Sequence, residues 1–218
     1  MPRMTFIILV LVFAIASFIL TSTANAGSLN GTYIGVGSGT TFFALCGFDD
    51  RGFARDGKNN EKGLWEIIQL TGQSRWTFRP NGTGTFESRN HGISMPNNNA
   101  SASMPPGFLL PWYSDETGKG EFTYTFDHIT GWIEITHLYS EQEWITGPLK
   151  GLKETNNTEY VIAYGVASSD GKTIAMGTAS HPVEAGGVTL PICEYRSAAV
   201  MHLSEVLVRQ DKAPQLVP

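Results

Sequence analysis

The segment LNGTYIGVGSGTTFFALC, residues 29–46, predicts how the chain is closed. Its β-branched and aromatic residues are typical of a β-strand, and the glycines within it are typical of a strand that bends sharply. The segment ends at Cys46, and the second of the two cysteines, Cys193, lies in another strand-like run near the end of the chain. If the two are bonded, the first and last strands are neighbours and the sheet between them closes into a barrel.

Residues 1–26 have the pattern of a signal peptide. Arg3 precedes an apolar run over residues 6–20, and Ala-Asn-Ala at residues 24–26 is a small-x-small cleavage site. A permanent membrane anchor is the alternative, but the run is shorter than the roughly 20 residues that span a bilayer. We therefore expect a bacterial protein exported to the periplasm or the extracellular space, which after cleavage is not an integral membrane protein.

The predicted domain organisation is a single β-barrel over residues 27–208 followed by a flexible tail over residues 209–218. The chain has a net charge of −5 and no basic cluster, which argues against nucleic acid or an anionic membrane as a partner. Two cysteines in an exported protein predict one disulfide, with two free buried thiols as the alternative.

The rest of the chain favours an all-β, antiparallel barrel of about nine to eleven strands. Short β-branched and aromatic runs alternate with turn residues, and no segment shows a helical period with caps. Residues 79–82 (Arg-Pro-Asn-Gly) and 168–171 (Ser-Ser-Asp-Gly) predict hairpin turns. Residues 64–70 suit a strand or a short helix, and we favour a strand with Leu64, Ile67, Ile68 and Leu70 buried.

Strict alternation assigns the inward faces of two strands, residues 121–127 and 132–139, on either side of a turn. Trp132 then lies on the outer face, either exposed or covered by a loop. The inward set comprises Phe122, Tyr124, Phe126, Ile133, Ile135, His137 and Tyr139, with Trp76, Phe78 and Phe86 in an earlier hairpin.

Residues 89–119 are predicted to be one long loop. The first half is rich in asparagine and serine, whereas residues 104–113 are apolar and include Phe108, Trp112 and Tyr113. Such a loop is uncommon in a compact domain unless it has a function. It is either a lid over one end of the barrel or an ordinary edge strand with a mobile leader.

No catalytic motif, cofactor motif or closely spaced histidine pair is present, so no cofactor and no metal are predicted. An inward His137 needs a hydrogen-bond partner, which is a ligand, a tyrosine or a backbone carbonyl. Glu121 and Glu134 are candidates for a glycosidase pair, but both fall on the polar face, where solvation is the simpler interpretation.

Several short motifs resemble those of other proteins. NGTY at residues 30–33 is similar to the opening of calycin barrels, the lipocalins and avidins, although Tyr33 stands where tryptophan is usual; this implies a calycin-like fold. A broader set of motifs resembles a family of secreted bacterial proteins, which implies a β-rich, disulfide-linked domain and no established activity. That set consists of NGTY, an early cysteine, NGTGT (81–85), ITGP (145–148), SDGKT (169–173) and ICxxR (192–196).

The sequence thus leads to three functional hypotheses. The first is a barrel that is not an enzyme and binds a small apolar ligand through His137, Tyr139, Phe108, Trp112 and Tyr113. The second is an envelope structural or interaction domain that uses residues 104–113 against a protein partner the sequence does not identify. The third is an enzyme without a recognisable motif, similar to a cyclase, with His137 in its cavity.

Overall fold

Antiparallel β-strands account for most of the chain that the computed structural model describes, which is residues 29–44, 46–56, 65–96, 111–178, 183–184 and 198–210. No helix occurs in these residues, so none of them forms a helix able to cross a membrane. The strands are β1 (Gly31–Ala44), β2 (Trp65–Phe78), β3 (Thr83–Pro96), β4 (Trp112–Phe126), β5 (Trp132–Trp144), β6 (Lys153–Asn156), β7 (Tyr160–Ala167), β8 (Thr173–Thr178), β9 (Val183–Glu184) and β10 (Ala198–Gln210).

The sheet is an up-and-down meander that closes on itself. Strands β1 to β5 pair in chain order, β5 pairs with β7, β7 with β8, and β8 with β10. The barrel is closed by β1 and β10, which pair from Thr32↔Gln210 to Ala44↔Ala198. The predicted all-β antiparallel barrel, with its first and last strands as neighbours, is therefore confirmed.

The ten strands occupy eight positions around the barrel. Strand β6 pairs with the second half of β5 and β7 with the first half, so these two short strands form one broken stave. Strands β8 and β9 pair with different parts of β10 in the same way. The ten strands fall within the predicted nine to eleven, but they fill only eight positions because two positions are each shared by two short strands.

One end of the barrel, here called the packed end, is formed by three tight turns. The turns lie between β2 and β3, β4 and β5, and β7 and β8, and each contains a glycine with positive φ: Gly82 (79°), Gly131 (74°) and Gly171 (65°). Only glycine adopts this conformation without strain. The hairpins predicted from Asn81-Gly82 and Asp170-Gly171 are confirmed here.

Aromatic and aliphatic side chains fill the packed end. The Phe122 ring lies 5.2 Å from Trp76 and 5.3 Å from Phe78, and all three point inward as predicted. The Tyr124 hydroxyl lies 2.7 Å from the backbone carbonyl oxygens of both Leu29 and Arg79 and shares its single proton between them, which ties the core to the turns. The core comprises Leu29, Tyr33, Trp76, Phe78, Phe122, Tyr124, Ile133, Ile135, Ala163, Ala167, Ile174, Met176 and Leu207.

The predicted long loop over residues 89–119 is wrong in its outer parts. Residues 89–96 belong to β3 and residues 112–119 to β4, and these parts pair with each other from Arg89↔Thr117 to Ser94↔Trp112. The polar residues Ser88, Asn90 and Ser94 of β3 point into the barrel, whereas Ile93 is 56% exposed on the outside. Because the apolar residue points outward here, alternation of polar and apolar residues does not predict this strand. Residues 97–110, with Phe108, lie outside the described part of the chain.

Candidate binding cavity

The barrel half opposite the packed end contains a cavity of about 450 Å³. Its aromatic and aliphatic walls come from β1 to β5, β7, β8 and β10, together with the turn that follows β5. The aromatic side chains are Phe43, Trp76, Phe86, Trp112, Trp144 and Tyr160. The interior of the barrel is therefore filled at one end and empty at the other.

Four glutamates from four different strands contribute to the cavity wall: Glu66 on β2, Glu116 on β4, Glu154 on β6 and Glu205 on β10. Glu66 is 4% exposed and Glu116 6% exposed. Fully buried glutamates are rare in proteins unless they are paired. None of the four has an ion-pair partner within the described residues.

Neutral donors hold Glu66 and Glu116. The Ser94 hydroxyl donates to Glu66 at 2.5 Å, while the Gln142 side-chain amide and the Ser114 hydroxyl donate to Glu116 at 2.5 and 3.3 Å. Burial raises the pKa of both carboxyls despite these bonds, and for Glu116 the nearby Glu66 raises it further. Removal from water therefore outweighs the hydrogen bonds in both carboxyls.

Glu154 and Glu205 follow the same rule. Burial, with a smaller contribution from Glu116, raises the pKa of Glu154 to about 7. Burial also raises the pKa of Glu205, although its carboxylate accepts bonds from the Ser74 hydroxyl and, at 3.2 Å, from the Trp76 indole N–H. Glu66 raises the pKa of Glu116, and Glu116 raises that of Glu154. Glu154 is also opposite Gln142, whose side-chain amide bonds Glu116, so the three carboxyls are neighbours along the cavity wall and are called the cluster here.

His137 lies on the cavity wall and is buried. Its Nδ1 donates to the Thr158 carbonyl at 2.7 Å, and its Nε2 accepts from the Ser140 hydroxyl at 2.9 Å. Its ring stacks on Tyr160 with centroids 4.9 Å apart. Burial lowers the pKa of the imidazole, so it is neutral near pH 7. His137 thus bridges the break between β6 and β7, and both ring nitrogens are satisfied by the protein.

Thr41 on β1 differs from every other polar residue of the cavity wall described so far. Its side chain is 4% exposed, and its Oγ1 has no hydrogen-bond partner in the described part of the chain. A buried hydroxyl without a partner costs roughly 1–3 kcal/mol. It lines the cavity on the strand next to Glu66. A ligand with a polar group would satisfy it.

The five predicted ligand-binding residues are not brought together. His137 and Trp112 line the cavity, whereas Tyr113 is 67% exposed on the outer face, and Phe108 lies outside the described residues. Tyr139 also faces outward, where its hydroxyl bonds Glu141.

A bulge explains the error for Tyr139. His137 is opposite Phe122 and Tyr139 is opposite Glu121, so Leu138 is an extra residue in β5. Alternation changes phase there, and Ser140 and Gln142 face inward in place of Tyr139. Periodicity alone does not reveal a bulge.

The glycosidase pair is also not formed. Glu121 is opposite Tyr139 and Glu134 is opposite Thr125, both on the outer face of the barrel.

Trp132 is 46% exposed and stacks on Tyr164 with centroids 5.5 Å apart. Within the described residues, no group of three histidine, cysteine or acidic side chains is placed to hold a metal ion.

No protein-family model matches the chain, and no curated protein is detectably similar to it. The chemistry of the cavity is therefore the basis for a functional proposal.

Proposed function

We propose that this protein binds a small molecule inside its barrel and is not an enzyme. The carrying observation is the cavity of about 450 Å³, which lies within the size range of small-molecule sites. Such sites combine mostly apolar walls with a few converging polar groups. Here Trp112, Trp144 and Tyr160 supply apolar surface, and Thr41 and Glu116 supply polar atoms.

The packed end supports binding at the other half of the barrel. Phe78, Phe122 and Tyr124 fill the space between the strands at that end, so the core is separate from the cavity. The interior of an eight-stranded barrel is wide enough either to be filled by side chains or to hold one small ligand.

Export and a calycin-like identity are part of the proposal. The N-terminal pattern supports export through a signal peptide of residues 1–26. An eight-position up-and-down barrel that begins with NGTY supports the calycin-like identity.

We also propose a disulfide between Cys46 and Cys193. Cys46 is fully buried and follows Ala44 by two residues, while Cys193 precedes Ala198, the β10 partner of Ala44, by five. The protein purified from the periplasm is expected to have no thiol that reacts with an alkylating reagent under denaturing conditions, and two after reduction. Mass spectrometry measures both states, and two reactive thiols before reduction would show that the cysteines are free.

Binding in the cavity is tested with the neutral fluorescent probe N-phenyl-1-naphthylamine and by native mass spectrometry. We expect one probe molecule per protein, with a change in fluorescence because three tryptophans line the cavity. Gly118→Leu is expected to weaken binding at least about tenfold, because a side chain at this cavity glycine meets mainly the movable Ser88 hydroxyl, at 2.8 Å, and then enters the cavity.

Thr117→Leu is the matched control, since it places a leucine side chain at the exposed neighbour of Gly118, outside the cavity. It should leave binding unchanged. A protein that carries no small molecule and does not bind the probe would contradict the proposal.

The enzyme hypothesis is the second candidate because one observation favours it. A glutamate with a pKa of about 7 that lines a cavity, as Glu154 does, suits general acid–base catalysis. Prolonged incubation of the protein with the molecule that co-purifies tests this. A product that forms with the wild type and not with Glu154→Gln would favour an enzyme, whereas an unchanged molecule would favour a binding protein.

A further inference from the structure

The charges on the cavity wall all have one sign. Four inward glutamates line it, and no lysine or arginine is present among the described lining residues. Glu141 also reaches the wall, but Lys119 pairs with it at 2.7 Å on the outer face. His137 is neutral near pH 7. An anionic ligand would therefore be repelled.

We propose that the ligand is a small organic cation, a protonated amine on an aromatic or aliphatic body, bound between the Glu66–Glu116–Glu154 cluster and the aromatic wall. This inference rests on the proposed function, because it requires that the cavity binds a small molecule. It goes further by naming the charge and chemical class of that molecule.

Within the described residues, the carboxyl cluster has no positively charged partner. The hydrogen bonds that Glu66 and Glu116 receive there come from Ser94, Ser114 and Gln142, which are neutral. A buried carboxylate without an opposite charge is costly, and a cation within a few ångströms removes that cost. An ammonium group provides the charge together with three donors.

Thr41 is an independent indication of a polar ligand group. Its hydroxyl is buried and has no partner in the described chain, and Thr41 is one of the residues that line the cavity. Thr41 is opposite Ile68 in β2, and Phe43 is opposite Glu66, so the hydroxyl and the carboxyl belong to adjacent positions on neighbouring strands. An ammonium N–H beside Glu66 would find a second acceptor in Thr41.

The cavity fits an organic cation better than a metal ion. Its volume is that of a small molecule, and no group of three suitable side chains in the described residues is placed around a metal. The rings of Trp112, Trp144 and Tyr160 line the same space. Aromatic faces attract organic cations and also bury an apolar body.

Three ligands with one body test the charge. These are 1-naphthylmethylamine, 1-naphthylmethanol and 1-naphthoate, which differ in carrying a positive, neutral or negative group. At pH 8 we expect the amine to bind about 10- to 100-fold tighter than the alcohol and the carboxylate to bind weakest. Calorimetry or displacement of N-phenyl-1-naphthylamine gives the affinities.

Substitutions test whether the cluster causes the preference for the amine. Glu116→Gln/Glu154→Gln is expected to reduce the preference for the amine over the alcohol to less than about threefold, while binding of the neutral probe shows that the cavity is still formed. Glu121→Gln is the matched control, because Glu121 is an exposed glutamate on the same strand as Glu116. It should keep the full preference.

The affinity for the amine should also depend on pH. A carboxyl that holds a proton must release it before it can pair with a cation, so we expect binding about tenfold weaker at pH 5.5 than at pH 8. The alcohol should show no such change. The titratable groups that line the cavity together with Glu154 are Glu66 on β2, Glu116 on β4, His137 on β5, Tyr160 on β7 and Glu205 on β10, with Glu141 of β5 at its edge, paired with Lys119.

The outcomes separate this inference from the proposed function. If the neutral probe binds but the amine binds no tighter than the alcohol, or the carboxylate binds best, the inference is overturned and the proposed function stands. If neither the probe nor any of the three ligands binds, and nothing co-purifies, both are overturned.

Discussion

Replacement of Phe122 with alanine is expected to lower the free energy of unfolding by about 3–5 kcal/mol, the usual cost of removing a large buried aromatic side chain. Phe122 is fully buried. Its ring lies 5.2 Å from Trp76, 5.3 Å from Phe78 and 6.3 Å from Tyr124. Loss of the ring creates a cavity and removes these aromatic contacts together.

Gly84 explains why the site cannot collapse to fill the space. Gly84 is opposite Phe122 in the neighbouring strand, and a Cβ at Gly84 would overlap the Phe122 ring, so the ring lies directly over that glycine. Without Phe122, the bare backbone of β3 has nothing to cover it. The loss therefore falls at the upper end of the range for such substitutions.

Urea denaturation followed by tryptophan fluorescence measures this change. Phe122→Leu retains most of the volume and should cost about 1 kcal/mol. Thr125→Ala, on the exposed face of the same strand, should change stability by less than about 0.5 kcal/mol. A cost below about 1 kcal/mol for Phe122→Ala would mean that the packed end is not one continuous core.

The packed end could be predicted from the sequence because its residues follow the usual pattern. Phe122 and Tyr124 alternate with threonines, and Asn81-Gly82 gives a hairpin its turn. Closure of the barrel was predicted from one cysteine in each of the first and last strand-like segments and from the unpaired edges that an open sheet would expose. Local patterns of this kind reflect burial on one face of a sheet.

The cavity end could not be predicted in the same way because its pattern is inverted. In β2, Ile67 was expected inside, but Glu66 points inward and Ile67 lies on the outer face. In β3, Ser94 points inward and Ile93 outward. In the sequence, polar residues that line a cavity have the same pattern as those of a loop or of a solvent-exposed strand face, so they are not recognised as inward-facing. The glutamates that form the cluster come from distant positions in the sequence, so only the fold brings them together.

The stability of the protein is expected to fall as the pH rises from 5 to 8. The pKa values of Glu66, Glu116, Glu154 and Glu205 are raised in the folded state, to about 7 for Glu154. Above the ordinary glutamate pKa, the unfolded state has released a proton that the folded state still holds. Each such proton lowers the free energy of unfolding by about 1.4 kcal/mol per pH unit. The loss begins above the ordinary glutamate pKa and continues through the raised one.

Other groups limit the effect. Burial lowers the pKa of His137, so its contribution to the free energy of unfolding is lost as the pH falls below about 6.5. This change is opposite to that of the glutamates in part of the range. Hydrogen bonds lower the pKa of Asp49, Asp127 and Asp170, and their contribution is lost only in more acidic solution. Partial exposure of Glu154 to solvent also reduces its share. We therefore expect a net loss of about 2–4 kcal/mol between pH 5 and pH 8.

Chemical denaturation at half-unit steps of pH tests this prediction on the ligand-free protein, because a bound cation would reduce the loss. Glu154→Gln replaces the carboxyl with a neutral amide of the same shape, so it should stabilise the protein at pH 8 and change little at pH 5. Glu121→Gln removes an exposed carboxyl and should leave the profile unchanged. A wild-type stability that rises from pH 5 to pH 8 would show that the buried carboxylates are compensated within the protein. In that case the cluster would not need a cation from outside.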